Sequence, residues 1–162
     1  NTEHLDAKVR IELAVQSAVD YAVSQYQAVE NYVKSLGVKV PIHIGETGWA
    51  TASENLYGTS GTQAADEYKQ ALYYQKMSDW TLANGVSCFY FEAFDEPWKD
   101  APRPMGSENH FGLFDVQGGV KYALWDAYDL GLFEGLIRDG RPLKKSFNGV
   151  FEEMFNTVKS LN

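Results

Sequence analysis

Val40-Pro41-Ile42-His43-Ile44-Gly45-Glu46-Thr47-Gly48-Trp49 is the stretch on which the fold turns. Ile42 and Ile44 are β-branched, and Gly37 and Gly48 bound the run, which favours a short buried strand over a helix turn. Pro41 suits the first residue of a strand, where no ladder donor is needed. Gly45 and Gly48 let the backbone bend sharply or approach another group closely. The strand thus delivers Glu46 and Trp49 at its C-terminal end. The plainer alternative is a strand end with a solvated Glu and a packing Trp.

Upstream, the periodicity predicts a long helix from Asp6 to Leu36. Ile11, Val15, Ala18, Ala22, Tyr26, Val29, Val33 and Leu36 share one face, and Gly37 is a natural stop. Downstream, Ala50 to Gly61 is polar and small and reads as a surface loop. A second helix is expected from Thr62 to Ala83, with Ala65, Tyr68, Leu72, Met77 and Trp80 inward and Asn84-Gly85 as its end. Val86 to Phe94 is nearly continuously apolar, as in a parallel strand buried on both faces. Pro97, Pro102, Pro104 and Gly106 make Asp95 to Glu108 a loop. A short strand pair, Phe111–Phe114 and Val120–Tyr122, is expected around Gly118-Gly119. The stretch from Trp125 to Pro142 gives no clear pattern. A last helix is expected from Lys144 or Asn148 to Ser160, burying Phe147, Phe151, Phe155 and Val158. The order is an α/β rhythm. Two parallel strands cannot close a sheet, so the chain is expected to be part of a larger fold.

The 162 residues suffice for one domain with a real core, and 44% apolar content argues against disorder. A net charge of −8 provides no basic field for nucleic acid or an anionic membrane. No apolar run approaches the roughly 20 residues of a membrane span. The aromatic share of 14% supplies either a large core or platforms for sugar rings. The single Cys88 excludes an internal disulfide and a multi-cysteine metal site, and its apolar strand makes it inert. His4, His43 and His110 lack metal-ligand spacing, and His43 reads as a hydrogen-bonded core histidine. No metal or cofactor is expected. Ser53 and Ser107 lack a nucleophile elbow, and Gly118-Gly119 is a turn with no phosphate-cradling pattern.

Both strands end in acid. The first gives Glu46; the second gives Asp95 and Glu96, with Glu92, Phe94 and Glu96 on one side by alternation. Trp98, Lys99 and Glu108 follow. In α/β sheets and barrels reactive groups gather at the C-terminal strand ends, so Glu46, Glu96, Lys99 and Glu108 can converge. Carboxylates flanked by Trp suit glycoside cleavage: one attacks the anomeric carbon, another protonates the leaving oxygen, and aromatic faces hold the rings. Taken singly, each acid also reads as a solvated loop residue.

Ile44-Gly45-Glu46-Thr47-Gly48-Trp49 resembles the nucleophile motif of glycoside hydrolase family 17, the β-1,3-glucanases and laminarinases, whose usual form is (I/V)-(S/G)-E-(S/T)-G-W. Tyr90 to Lys99 resembles the same family's F-x-x-F-(D/N)-E-x-x-K segment, and Glu108 to Phe114 its E-x-x-(F/W)-G-L-(F/Y) segment. The three motifs occur in order over residues 40 to 124, and the bacterial branch is the closer likeness. The resemblance implies a retaining enzyme on a (β/α)8 TIM barrel, with residues 1–162 forming its C-terminal part: strands seven and eight with flanking helices. It implies Glu46 as nucleophile, and Glu96, Lys99 and Glu108 as a supporting charged network. Trp49, Trp98 and Phe94 would bind substrate. The family's acid/base Glu belongs to strand four, and a complete barrel takes about 250 residues. The acid is therefore expected from an N-terminal part of the barrel, in the same parent protein or in a second chain. The implied substrate is β-1,3-glucan of the laminarin type, a polymer that implies a secreted, periplasmic or cell-surface enzyme. β-1,3-Glucan transglycosylation and a catalytically silent carbohydrate-binding module are the alternatives.

Overall fold

A computed structural model describes residues 4–54 and 63–159. Most of the loop expected from Ala50 to Gly61, and the expected helix start at Thr62, lie outside the described residues.

The first helix, α1, spans Ala7–Ser35 and is capped by Asp6, whose carboxylate accepts from the Lys8 amide at 2.8 Å. Ile11, Val15 and Val19 are buried against the second helix, α2, at Glu67–Asn84. The predicted apolar face holds for the first half of α1 only: Val29 and Leu36 are exposed. Contact between the helices reaches the Tyr26–Trp80 ring pair, 5.5 Å apart. Asp66 caps α2 by accepting from the Lys69 amide, and Gly85 ends it in the left-handed conformation that favours glycine.

Strand β1 is Ile44–Thr47 and β2 is Cys88–Tyr90, paired in parallel. Both are shorter than predicted. Ile44 faces Cys88 and Thr47 faces Tyr90, so Gly45 and Glu46 together oppose the single residue Phe89. Ile44 consequently packs on the helical core, and the Thr47 hydroxyl hydrogen-bonds the Tyr73 hydroxyl of α2 at 2.7 Å. Gly45, Glu46 and Phe89 remain exposed. The expectation that the second strand is buried on both faces fails at Phe89, which is 65% exposed, because no described element covers that face of the sheet. His43, read as a core histidine, is exposed as well.

Beyond β2, residues 92–95 run beside 111–114. The Leu113 amide donates to the Glu92 carbonyl, Phe114 to Ala93 and Asp95 to Phe114, each at 2.9 Å. The predicted hairpin of Phe111–Phe114 with Val120–Tyr122 is reduced to one Phe114–Val120 bridge. Strand β3, Gly119–Val120, pairs in parallel with a later strand, and Tyr122–Leu124 is already a 3-10 turn leading into helix α3, Trp125–Asp129. The unassigned stretch contains α3 and a hairpin of β4, Ile137–Arg138, with β5, Arg141–Pro142. The partner of β3 is β6, Lys144–Lys145. The last helix is much shorter than predicted: α4 covers Phe151–Phe155. Phe147 and Asn148 have φ of 49° and 52°, which a right-handed helix cannot carry. Met154 is the fully buried residue of α4, and Phe151, expected inside, is 38% exposed.

The core gathers Ile11, Val15 and Val19 with Tyr68, Tyr73 and Met77, closed by Trp125 and Met154. Glu67 ties α2 to the C-terminal segment, accepting from the Tyr122 amide at 2.8 Å and the Ser146 hydroxyl at 2.6 Å. Among the described residues no helix is long and apolar enough to cross a membrane.

Gly112 is wedged between the two site-forming loops. A Cβ there would collide with the Asp95 amide and the Phe94 and Phe114 carbonyl groups. Backbone cannot yield as a flexible side chain does, so Gly112→Ala should destabilise the fold by about 1–3 kcal/mol. Denaturant titration checks this, and an unchanged midpoint would contradict the packing described.

Candidate active site

The local order of β1 puts Glu46 on the open face of the sheet, one residue before the last pairing with β2. Its carboxylate makes no hydrogen bond or ion pair with any described residue. The next two residues weld the strand ends together. The Thr47 carbonyl accepts from the Phe91 amide at 2.7 Å, and a Cβ on Gly48 would collide with the Phe91 carbonyl. Gly48 is therefore required by close approach of backbone to backbone. The Phe91–Glu92 peptide is cis.

The residues after β2 form a compact charged group. Lys99 Nζ donates to Glu92 Oε2 at 2.9 Å and to Glu96 Oε2 at 2.5 Å, and it lies 4.0 Å above the Phe91 ring centroid. The side chains are mostly covered, at 19% exposure for Lys99 and 14% for Glu92. Burial, followed by the neighbouring Glu96 carboxyl, pushes the Glu92 carboxyl up to about 7, against the pull of Lys99. Glu96 is held below its ordinary value by its hydrogen bonds to Glu92 and Lys99. For Lys99 burial favours the neutral amine, but the hydrogen bonds to Glu96 and Glu92 outweigh it and hold the ammonium above its usual range. Two carboxyls and one ammonium thus share protons asymmetrically, with Glu92 the member that gains or loses its proton near neutrality.

A second, buried network frames this group. Asp95 Oδ1 accepts from Lys121 Nζ at 2.7 Å and from the Gly112 amide at 2.9 Å. Lys121, only 4% exposed, also donates to the Thr51 hydroxyl at 2.7 Å, and Thr51 donates its amide to the His110 carbonyl at 2.9 Å. Gln70, fully buried on α2, donates from Nε2 to the carbonyls of Trp49, Phe111 and Gly112 at 3.0, 3.2 and 3.0 Å. These bonds lock the loop after β1 to the loop after β2. Sequence reasoning missed Lys121 and Gln70 as site-forming residues, and it placed Glu92 beside Glu96 without giving it a role. A lone Lys or Gln gives no sequence signal of burial, whereas the shared alternation with Glu96 did mark Glu92.

The structure brings Glu96, Lys99 and Trp98 together. Trp98 is 70% exposed, with Lys99 Nζ 5.9 Å from its ring. It does not bring Glu108 into the group: Glu108 is exposed on the short 3-10 turn Ser107–Asn109 and has no hydrogen bond or ion pair among the described residues. The Trp49 ring is 5.3 Å from Tyr73, and its indole donates to the Ala64 carbonyl at 2.9 Å, so it serves the packing of α2. Phe94, 39% exposed, lies between Phe114 at 5.4 Å and the Arg138 guanidinium at 4.9 Å. No group of His, Cys, Asp and Glu suited to a metal occurs among the described residues.

The raised Glu92 carboxyl has a defined sign for stability. Between its unfolded value near 4.5 and its folded value of about 7, the folded state binds the extra proton, so this group's contribution is present below that window and is lost as pH rises through it. Carboxyl NMR titration should find a Glu92 midpoint near 7, and an ordinary midpoint near 4.5 would contradict the geometry.

The site has clear relatives. The endo-laminarinase from Formosa Hel1_33_131 is 54% identical and superimposes with a TM-score of 0.92, over 98% of this chain and 40% of that one. An active-site mutant of the Rhizomucor miehei beta-1,3-glucanosyltransferase, in complex with laminaritriose, is 28% identical with a TM-score of 0.53 over 67% of this chain and 36% of that one. A glucan 1,3-beta-glucosidase of Arthroderma benhamiae is 38% identical over 89 residues, 50% of this chain and 27% of that protein. The chain therefore spans well under half the length of each. The family model described as glycosyl hydrolases family 17 matches residues 7–125, which include both strand ends, the Glu92–Lys99–Glu96 group and its buried frame. The chain belongs to glycosyl hydrolases family 17.

Proposed function

We propose that this chain carries the nucleophile half of a retaining β-1,3-glucan hydrolase of the laminarinase type. The supporting observation is Glu46 on the open face at the end of β1, beside a second strand end that presents Glu92, Lys99, Glu96 and Trp98. Likeness to the Formosa endo-laminarinase over 98% of the chain supports the substrate class. In this reading residues 1–162 are strands seven and eight of a (β/α)8 barrel with their helices. An N-terminal part, in the same parent protein or a second chain, completes it.

A Glu46 carboxylate oxygen attacks the anomeric carbon and forms a glycosyl ester, while an acid on the opposite side protonates the departing glycosidic oxygen. That acid comes from the N-terminal part of the barrel, with its carboxyl about 5–5.5 Å from Glu46 as retention requires. The same group then takes a proton from water, which cleaves the ester. The Lys99 ammonium, held 4.0 Å from the Phe91 ring centroid, lends positive potential beside the strand end. Trp98 offers a ring face to a sugar. Glu96 supports Lys99, whereas Glu108 stands apart from that pair and Trp49 packs on α2. A polymeric substrate places the enzyme outside the cytoplasm, secreted, periplasmic or on the cell surface.

Transfer of the glucosyl group to a second sugar is the other reading, favoured by the Rhizomucor miehei beta-1,3-glucanosyltransferase likeness. It uses the same Glu46 ester and differs in the acceptor. In the protein that carries the whole barrel, Glu46→Gln should lower laminarin cleavage about 10³-fold or more. Early NMR of the wild-type product should show the β-anomer. Full activity of Glu46→Gln, or an initial α-anomer, would contradict the assignment. Elongated glucans among the products would favour transfer.

A further inference from the structure

Glu92 has a place in the site that its neighbours do not share. Its main chain is held between two partners: its amide donates to the Phe111 carbonyl at 3.3 Å and its carbonyl accepts from the Leu113 amide at 2.9 Å. Glu96 and Lys99 instead sit within one loop turn, the Lys99 amide donating to the Glu96 carbonyl at 3.0 Å. The Glu96–Lys99 pair alone would move with that loop. The 2.9 Å bond from Lys99 Nζ to Glu92 Oε2 is what connects the loop's ammonium to the strand. Lys99 in turn lies over Phe91, whose amide is bonded to the carbonyl of Thr47, the residue after Glu46. The charged groups acting on Glu92 are Lys99 and Glu96.

We propose that Glu92 is a positioning residue of the active site: its carboxyl tethers the Lys99 ammonium to the end of β2 and so fixes positive charge beside the strand end that carries Glu46. This rests on the reading of Glu46 as nucleophile. A carboxamide at position 92 keeps the size but lacks the charge that holds an ammonium. An aspartate keeps the charge on a shorter arm. When Glu92 loses its proton the group gains one negative charge next to Lys99, so the tether tightens as pH rises through neutrality.

The test uses the protein that carries the whole barrel, with laminarin as substrate and kcat and KM followed across pH. Glu92→Gln should lower kcat about 10- to 100-fold, as a misplaced group does, leave KM within about twofold, and remove one ionisation from the kcat profile. Glu92→Asp should restore part of kcat and retain an ionisation. A Glu92→Gln profile superimposable on wild type, or a raised KM with unchanged kcat, would overturn the tether; the latter would mean direct contact with sugar. Should Glu92→Gln not fold, ¹⁵N NMR of the wild-type Lys99 ammonium decides: its signal should move with the Glu92 proton, and a flat response would overturn the proposal. Glu46→Gln in the same assay separates the two readings. An inactive Glu46→Gln beside an unaltered Glu92→Gln defeats the tether alone. A fully active Glu46→Gln defeats the nucleophile assignment, and the NMR titration then judges the tether by itself.

Discussion

Two residues of β1 oppose one of β2, and the site depends on that mismatch. Ile44 and Thr47 are three positions apart, yet both turn toward the helices, because their partners Cys88 and Tyr90 are only two apart. Regular alternation would turn Thr47 away from Tyr73 if Ile44 kept its place in the core. The extra residue lets both anchors hold while Gly45 and Glu46 project to the other side. The carboxylate is therefore placed by the packing of its neighbours, with no hydrogen bond of its own to any described residue. Gly48 completes the device by letting the next turn press against the Phe91 carbonyl.

Around this junction several polar groups are buried with partners. Asp95 and Lys121 bury opposite charges, an arrangement that costs more than it returns unless further hydrogen bonds complete it. Here the Gly112 amide and the Thr51 hydroxyl do so. Gln70 does the same for three loop carbonyls at once. The result is a rigid seat for a loop rich in proline and glycine, which has little regular structure to hold it. The Glu92–Lys99–Glu96 group sits on that seat, less buried and more responsive to pH.

The α/β rhythm, both parallel strands and the two long helices were legible because apolar residues repeat at 3.6 and at two in long enough runs. The placing of Glu46 at the end of β1 and of Glu96, Lys99 and Trp98 together after β2 was legible because motif and strand end coincide. Three things were not. The open face at Phe89 depends on what lies beside the sheet, and a hydrophobic run does not state it. The final helix was overestimated because Phe147, Phe151 and Phe155 have helical spacing, whereas the left-handed backbone at Phe147 and Asn148 interrupts it. The buried frame of Lys121 and Gln70 was invisible because a polar residue on a helix or in a loop reads as solvated until its partners are known. Glu108 shows the converse: its motif is clear, yet its side chain stands apart from the charged group.

Everything proposed for this site turns on whether Glu46 forms the covalent bond to sugar. The most direct measurement is mass spectrometry of the complete enzyme after trapping with a 2-deoxy-2-fluoro laminaribiosyl fluoride, which slows hydrolysis of the ester. A single glycosyl adduct on the peptide containing Glu46 is the expected result. An adduct on Glu92, Glu96 or Glu108, or none in an enzyme that remains active on laminarin, would contradict it.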